Sequence, residues 1–201
     1  MAYDLATGQV PYESKNTIKG ITKEFRTNNH AATFPVDVEA ICDKINVDIS
    51  PIEGLNKLLS VDAFITSDFK KIYVDDSGYK KESARYRFSV AHELGHLVLH
   101  KKYYPDDIIN FETYLKLSPK IQDKRVEFQA NYFAANLLAP DEKLSEILCK
   151  RLDEDPEENF WKVGQEKQAQ IISELCKVFG ISEQTAVFRM EDVYPKIFDG
   201  F

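Results

Sequence analysis

Three of the chain's four histidines, His92, His96 and His100, lie within nine consecutive residues. His92 and His96 are four positions apart, so on a helix their side chains lie one above the other on a single face. Two neutral imidazoles at this spacing reach one Zn²⁺ ion at about 2.0–2.1 Å each. Glu93 is rotated by about 100° from His92, which places its carboxylate beside the ion. The HExxH pattern therefore predicts metal-assisted hydrolysis with Glu93 as the general base.

The alternative interpretation is an incidental glutamate beside an exposed histidine pair, and the surrounding residues decide between the two. The segment from Phe88 to His100 is mostly apolar and predicts a buried helix. Burying two imidazoles and a carboxylate without a partner is costly, and a metal ion satisfies all three groups. Gly95 costs about 1 kcal/mol relative to alanine inside a helix. This cost is explained if another backbone or a substrate strand passes close to it.

A catalytic zinc site usually has three protein ligands and one open position. In the elongated pattern HExxHxxGxxH the third ligand follows His92 by ten residues, and Lys102 occupies that position here. His100 has drifted by about 80° around the helix from His92. Three successive turns of one straight helix diverge too far to converge on one ion. We therefore expect that His100 does not bind the metal. It is expected to contact a metal-binding residue, or to pack beside the site.

Glu127 is the predicted third ligand. Ala130 and Ala134 share its helical face, and small side chains there would let this helix approach the HExxH helix closely. Asn131, one turn after Glu127, is predicted to hydrogen-bond the second nitrogen of a ligand histidine and fix its tautomer. The alternative is a glutamate on the helix surface. Glu112 is the nearest rival, and it lies in a segment with no clear helical pattern.

Peptide-bond hydrolysis also requires a hydrogen-bond donor for the oxyanion of the tetrahedral intermediate. Four residues near the HExxH helix have suitable side chains: Tyr103, Tyr104, Arg87 and His100. Their spacing favours none of them over the others.

The spacing of apolar residues predicts the elements that position these groups. A helix is expected over 36–45, a short strand over 47–50, and a hairpin over 61–75 with strands at 63–65 and 72–74. Helices are expected over 83–100, 121–138, 141–152, 164–179 and 183–192. Residues 1–34 are interpreted as an extended or partly ordered arm. The fold class is α+β, with a small antiparallel sheet packed on the HExxH helix and on the glutamate-bearing helix.

Composition limits the classes of function. With 43% hydrophobic residues, the 201-residue chain can bury one well-packed core. Its 26 basic and 33 acidic residues give a net charge of −7, which argues against nucleic-acid binding as the main activity. Cys42, Cys149 and Cys176 form no CxxC pair, so neither a zinc ribbon nor a redox dithiol is expected. There is no secretory signal and no apolar run long enough to span a bilayer, so we expect a cytoplasmic protein.

Two segments match the pattern of one known family. The first runs from Arg87 to His100, and the second is the Glu-x-x-Ala-Asn-x-Phe-Ala-x-x-Leu-Leu-x-Pro run from Glu127 to Pro140. Together they resemble the ImmA/IrrE family of HExxH metallopeptidases. Ala139 stands where the family often has methionine, a departure without chemical consequence. The resemblance extends more loosely over residues 36–140 and does not include 1–34.

The resemblance implies a zincin-like metallopeptidase domain over residues 35–140. An N-terminal arm (1–34) precedes it, and a C-terminal helical extension (141–201) packs on the same domain. It implies that His92, His96 and Glu127 bind one Zn²⁺, with Mn²⁺ as the alternative ion, and that Glu93 is the catalytic base. No other cofactor is expected. It further implies a protein substrate, a helix-turn-helix repressor of a prophage, a conjugative element or a stress response.

Two other classes of function are compatible with parts of the sequence. The first is a metal-stabilised binding module that sequesters a repressor or antitoxin without cutting it, although such a module has no use for Glu93. The second is a DNA-binding regulator that uses its C-terminal helices as a helix-turn-helix. The net charge of −7 and the acidic residues of the tail, Glu183, Glu191 and Asp192, argue against it.

Overall fold

The computed structural model describes residues 11–76, 83–102, 108, 112–113, 124–153 and 155–198. Within these ranges the helices are α1 (Lys15–Asn28), α2 (Val38–Lys44), α3 (Leu55–Leu59), α4 (Ala84–His100), α5 (Lys124–Leu138), α6 (Asp141–Leu152), α7 (Pro156–Asn159), α8 (Gln165–Phe179) and α9 (Glu183–Val193). The strands are β1 (Asp48–Ile52), β2 (Ala63–Ile65) and β3 (Lys71–Asp75). The α+β class is confirmed. None of the described helices combines the length and apolar character needed to cross a bilayer.

The three strands form one sheet in the order β1-β3-β2. The predicted hairpin is confirmed, because β2 and β3 pair antiparallel with Phe64 opposite Tyr73. The pairing of β1 with β3 is parallel, so the sheet is mixed and not wholly antiparallel as expected. The physical reason is the connection between them. Helix α3, which the sequence pattern did not predict, and strand β2 lie between β1 and β3 in the chain. Strand β2 runs opposite to β1, and β3 reverses direction again, so β3 is parallel to β1.

Helix α1 occupies 14 of the 34 residues that were expected to form an extended or partly ordered arm, so an extended structure is wrong for residues 15–28. The Ser14 hydroxyl accepts a hydrogen bond from the backbone amide of Thr17 and caps the helix. Ile18 is fully buried, and Phe25 packs edge-to-face on Phe133 of α5. These apolar residues recur at helical spacing, but most of the other residues of α1 are polar. The sequence pattern therefore did not indicate a helix. Residues 1–10 lie outside the described part of the chain.

Helices α4 and α5 pack closely where Gly95 faces Ala130. A Cβ atom built on Gly95 would lie 3.1 Å from both the Cα and the carbonyl oxygen of Ala130, and 3.3 Å from a ring carbon of Phe133. Real Cβ contacts are rarely this short. The expectation that another backbone passes close to Gly95 is confirmed, and the small side chain of Ala130 leaves room for it.

Substituting Gly95 with alanine is expected to destabilise the protein. The added methyl group would have to displace the main chain of α5, and overpacking costs about 1–3 kcal/mol, which outweighs a gain of about 1 kcal/mol in helix propensity. Gly20 is the matched control, because it lies inside α1 with no atom within 4 Å of an ideal Cβ. Gly20→Ala is expected to raise stability by up to about 1 kcal/mol. Urea unfolding of the metal-free variants measures both effects, and equal gains would show that α4 and α5 are not in close contact.

The C-terminal helices are fixed to the rest of the protein by a buried guanidinium. Arg189 of α9 is fully buried, donates to the carbonyl of Ala139, and pairs with both Asp192 and Asp141. Asp192 in turn accepts from Lys19 of α1 at 2.9 Å. A buried charge is tolerated only when it is paired in this way. The network joins α1, α6 and α9 around the end of α5, the helix that bears Glu127.

The three cysteines are free thiols, as expected. Cys42 is buried, Cys149 is exposed and Cys176 is intermediate. Burial, together with nearby carboxylates, raises the pKa of the Cys42 thiol to about 12. This thiol therefore stays protonated and contributes to the core as a small apolar group.

Candidate metal centre

Helices α4 and α5 bring His92, His96 and Glu127 together at one point. The Nε2 atoms of the two histidines are 3.0 Å apart. The Glu127 carboxylate places Oε2 at 3.2 Å from His92 Nε2 and Oε1 at 3.6 Å from His96 Nε2. Adjacent ligands of a tetrahedral Zn²⁺ with bonds of 2.0–2.1 Å are about 3.3 Å apart. The spacing of the three donor atoms therefore fits a single ion of this size.

The chemistry of these atoms also fits a cation. The Nδ1 atom of His92 lies 2.9 Å from Oδ1 of Asn131, so Nδ1–H donates to the amide oxygen and the Nε2 lone pair faces the other two donors. Lone pairs from two imidazoles and a carboxylate repel one another unless a positive charge lies among them. Two nitrogens and one oxygen form a donor set suited to Zn²⁺ and acceptable to Mn²⁺.

Without an ion, a proton is the alternative positive charge at this point. Burial by itself lowers the pKa of His92, but the hydrogen bond and charge of Glu127, with the charge of Glu93, raise it above its ordinary value. Burial and the neighbouring His92 and His100 hold the pKa of His96 well below its usual range. His96 is therefore a neutral imidazole, which is the form that binds metals.

Glu93 lies on the inner side of the site, with 5% of its surface exposed. Burial raises the pKa of its carboxyl group to about 7, the charge of His92 opposes this, and the backbone of Ile65 in β2 hydrogen-bonds to the carboxylate. A carboxyl group with a pKa near neutrality exchanges its proton readily in both directions. The side chain lines the same pocket as the three donor residues.

The site opens into a pocket of about 250 Å³. Its other walls are the segment 61–64, which includes the start of β2, and Phe88 and Ser89 of α4. Sequence reasoning did not single out these two residues. They precede His92 by four and three positions, so the helical spacing that pairs His92 with His96 would have identified them.

A second cleft of about 470 Å³ adjoins the pocket and shares part of its wall, including Phe88 and Asn131. It is lined by aromatic side chains from three helices, among them Phe128 of α5 and Phe188 of α9. Phe128 is 42% exposed, although it is a large apolar side chain. The pocket at the candidate metal site therefore continues into an apolar groove that runs towards the C-terminal helices.

The remaining sequence candidates lie elsewhere. Glu112 is exposed and, among the described residues, does not belong to the group of side chains whose metal-binding atoms converge. The guanidinium of Arg87 lies against Gly180 and, like His100, it does not line the pocket. The candidates Tyr103 and Tyr104 fall outside the described residues.

His100 is buried behind His96, with its Nδ1 atom 3.1 Å from Nδ1 of His96. Its Nε2 atom lies 3.1 Å from Oε1 of Gln129, a side chain that is only 1% exposed. Gln129 was not identified from the sequence. The available signal was a long polar side chain two residues after Glu127, within a helix that is otherwise largely apolar.

The chain is similar in sequence to known peptidases. Residues 42–191 match the profile of a peptidase family described as the IrrE N-terminal-like domain. The metallopeptidase ImmA of Bacillus subtilis (strain 168) is 29% identical over 136 residues, which cover 67% of this chain and 68% of that protein.

Proposed function

The chain belongs to the family of the IrrE N-terminal-like domain, whose members are metallopeptidases, and we propose that it cleaves a protein substrate with Zn²⁺ bound by His92, His96 and Glu127. The observation that supports the metal site is the convergence of the three donor atoms at 3.0–3.6 Å. The observation that supports hydrolysis is the buried carboxyl of Glu93 in the same pocket. Family membership implies a metal ion and a protein substrate.

Zn²⁺ supplies Lewis-acid chemistry at this position, because it acidifies water and polarises a scissile carbonyl group. Glu93 accepts a proton from the attacking water, whose oxygen forms a bond to the carbonyl carbon. The same carboxyl then gives the proton to the amide nitrogen as the carbon–nitrogen bond breaks. The products are a carboxylic acid and an amine.

The edge of the sheet offers a place for the substrate backbone. The amide of Asp75 donates to the carbonyl of Asp62, and the amide of Thr66 donates to the carbonyl of Lys71. The amide and carbonyl groups of residues 62, 64 and 66 therefore point towards β3. The amide and carbonyl groups of Ala63 point away from β3, towards the open edge of the sheet. Ala63 lines the pocket. We propose that an extended peptide pairs with β2 at Ala63, which places a peptide bond beside Glu93.

The adjoining aromatic cleft is proposed to take a bulky apolar side chain of that peptide. Phe88, Phe128 and Phe188 line it, and it opens directly from the metal pocket. An exposed aromatic surface of this kind is stabilised when an apolar side chain covers it.

The finer identity of the substrate comes from the resemblance to the ImmA/IrrE family. We propose a helix-turn-helix transcriptional repressor of a prophage, a conjugative element or a stress response, and with it a cytoplasmic location. The rival function is a metal-stabilised module that binds a repressor without cutting it. The position of Glu93 favours hydrolysis, because a binding module gains nothing from a buried acid beside its metal.

Metal-dependent cleavage tests the proposal. The purified chain is stripped with EDTA, reloaded with one equivalent of Zn²⁺ or Mn²⁺, and incubated with a purified helix-turn-helix repressor from the same genome. We expect new fragments by mass spectrometry in the reloaded samples and none in the stripped sample, because the metal activates the water. Comparison of the two ions identifies the better cofactor. Stable binding of the intact repressor by the reloaded protein, without fragments, would support the binding module instead.

A further inference from the structure

Two buried polar side chains, His100 and Gln129, lie behind the metal centre without lining its pocket. A buried polar group costs free energy unless its hydrogen bonds are made, so the partners of these two residues indicate their purpose. They form a continuous chain of contacts from the carbonyl of Pro11, through Gln129 and His100, to His96.

The donor and acceptor of each hydrogen bond in this series follow from the first contact, at the carbonyl of Pro11. The carbonyl oxygen of Pro11 only accepts, so the amide nitrogen of Gln129, 3.2 Å away, must donate to it. This fixes the orientation of the amide and turns its oxygen, Oε1, towards His100. An amide oxygen also only accepts, so Nε2 of His100 carries the proton in the 3.1 Å contact with Gln129.

The tautomer of His96 follows in the same way. A neutral His100 with its proton on Nε2 has a lone pair on Nδ1, which accepts from Nδ1–H of His96 at 3.1 Å. His96 then has its lone pair on Nε2, the atom that faces His92 at 3.0 Å and Glu127 at 3.6 Å. A second proton on His100 would reverse this pattern, but it would place a charge in a side chain that is only 2% exposed.

We propose that Gln129 and His100 are positioning residues, which act through His96 by fixing its tautomer and ring orientation so that Nε2 is always presented to the metal. The inference rests on the proposed metal site. Asn131 fixes the tautomer of His92 directly, because its amide oxygen contacts Nδ1 of His92 without an intervening side chain. Helix α5 therefore supplies Glu127 and also the amide groups that set the tautomers of both histidines.

The first test reads the tautomers directly. The chain has four histidines, so imidazole ¹⁵N spectra of histidine-labelled protein are simple enough to assign with single variants. In metal-free protein, at a pH low enough for His92 to carry the positive charge among the three donor residues, we expect His100 to be protonated on Nε2 and His96 on Nδ1. We call the hydrogen-bonded series from Pro11 through Gln129 and His100 to His96 the relay. The opposite assignment for either ring would overturn it. This measurement needs no substrate, and the tautomers are read in the unaltered protein.

The second test measures Zn²⁺ affinity by competition with a chelator. His100→Phe keeps a ring and removes the acceptor, and we expect affinity to fall by about 10–100-fold. His100→Asn keeps an oxygen near the position of Nδ1, so it should restore much of the loss. His30→Asn is the matched control, because His30 is the exposed fourth histidine and has a positive φ of 54° that asparagine tolerates. It should bind as the unaltered chain does.

These outcomes separate the relay from the proposed function. Unchanged Zn²⁺ affinity in a folded His100→Phe variant would overturn the positioning role. If the tautomers and affinities are as expected and no protein is cleaved, the relay stands and the peptidase proposal fails. If the unaltered chain binds no metal, the metal site itself fails, while the spectra of the metal-free protein still decide whether the relay exists.

Discussion

Replacing Glu93 with glutamine is expected to slow peptide-bond cleavage by about 10²–10⁴-fold, the usual contribution of general acid–base catalysis. Glutamine has nearly the same shape, and its amide oxygen still accepts the hydrogen bond from the backbone of Ile65. It has no carboxylate to take a proton from water. The metal should remain bound, because its proposed ligands are His92, His96 and Glu127 and are unchanged.

The measurement is the rate of fragment formation from a repressor that the unaltered Zn²⁺-loaded protein cleaves, with metal content determined on the same sample. Glu24→Gln is the matched control, because Glu24 is exposed on α1 and the same change of charge is made away from the pocket. A Glu93→Gln variant that cuts at the normal rate would show that another group is the base. A variant that has lost its metal would show that Glu93 helps to hold the ion.

Replacing Glu127 with glutamine is expected to weaken Zn²⁺ binding by more than about 100-fold, because loss of a ligand exceeds the effect of losing an outer contact. The amide keeps the shape of the side chain but removes the negative charge that balances the ion. Cleavage should be lost together with the metal. In the metal-free protein the change in stability should be small, because the Glu127 side chain is 39% exposed and its contact with His92 is partly screened.

Thermal unfolding with and without Zn²⁺ measures how far the metal stabilises the unaltered chain and the Glu127→Gln variant. Free metal at 100 times its dissociation constant stabilises a binding-competent fold by about 2.7 kcal/mol. The unaltered chain should therefore show a clear rise in Tm with metal, and Glu127→Gln should show little or none. Glu112→Gln is the control, because Glu112 was the rival third ligand and is exposed. A rise in Tm that survives in Glu127→Gln and disappears in Glu112→Gln would assign the ligand to Glu112.

Local spacing determined much of this protein in advance. Two histidines four residues apart must share a helical face, so the sequence alone predicted how His92 and His96 would meet. The helices that bear the site and the β2–β3 hairpin were predicted for the same reason, since their apolar periods lie within short stretches of chain. The close approach at Gly95 followed from its cost within a helix.

Tertiary structure decided the features that depend on residues far apart in the chain. Gln129 follows His100 by 29 positions and Pro11 by 118, and no local period links them. The same holds for the parallel pairing of β1 with β3, and for the aromatic cleft shared by α4, α5 and α9. The sequence by itself determined which residues could bind a metal and which could move a proton. Only the packing of α4 on α5 decided that His100 and Gln129 would lie behind them, because burial and hydrogen-bond direction exist only once the helices are in contact.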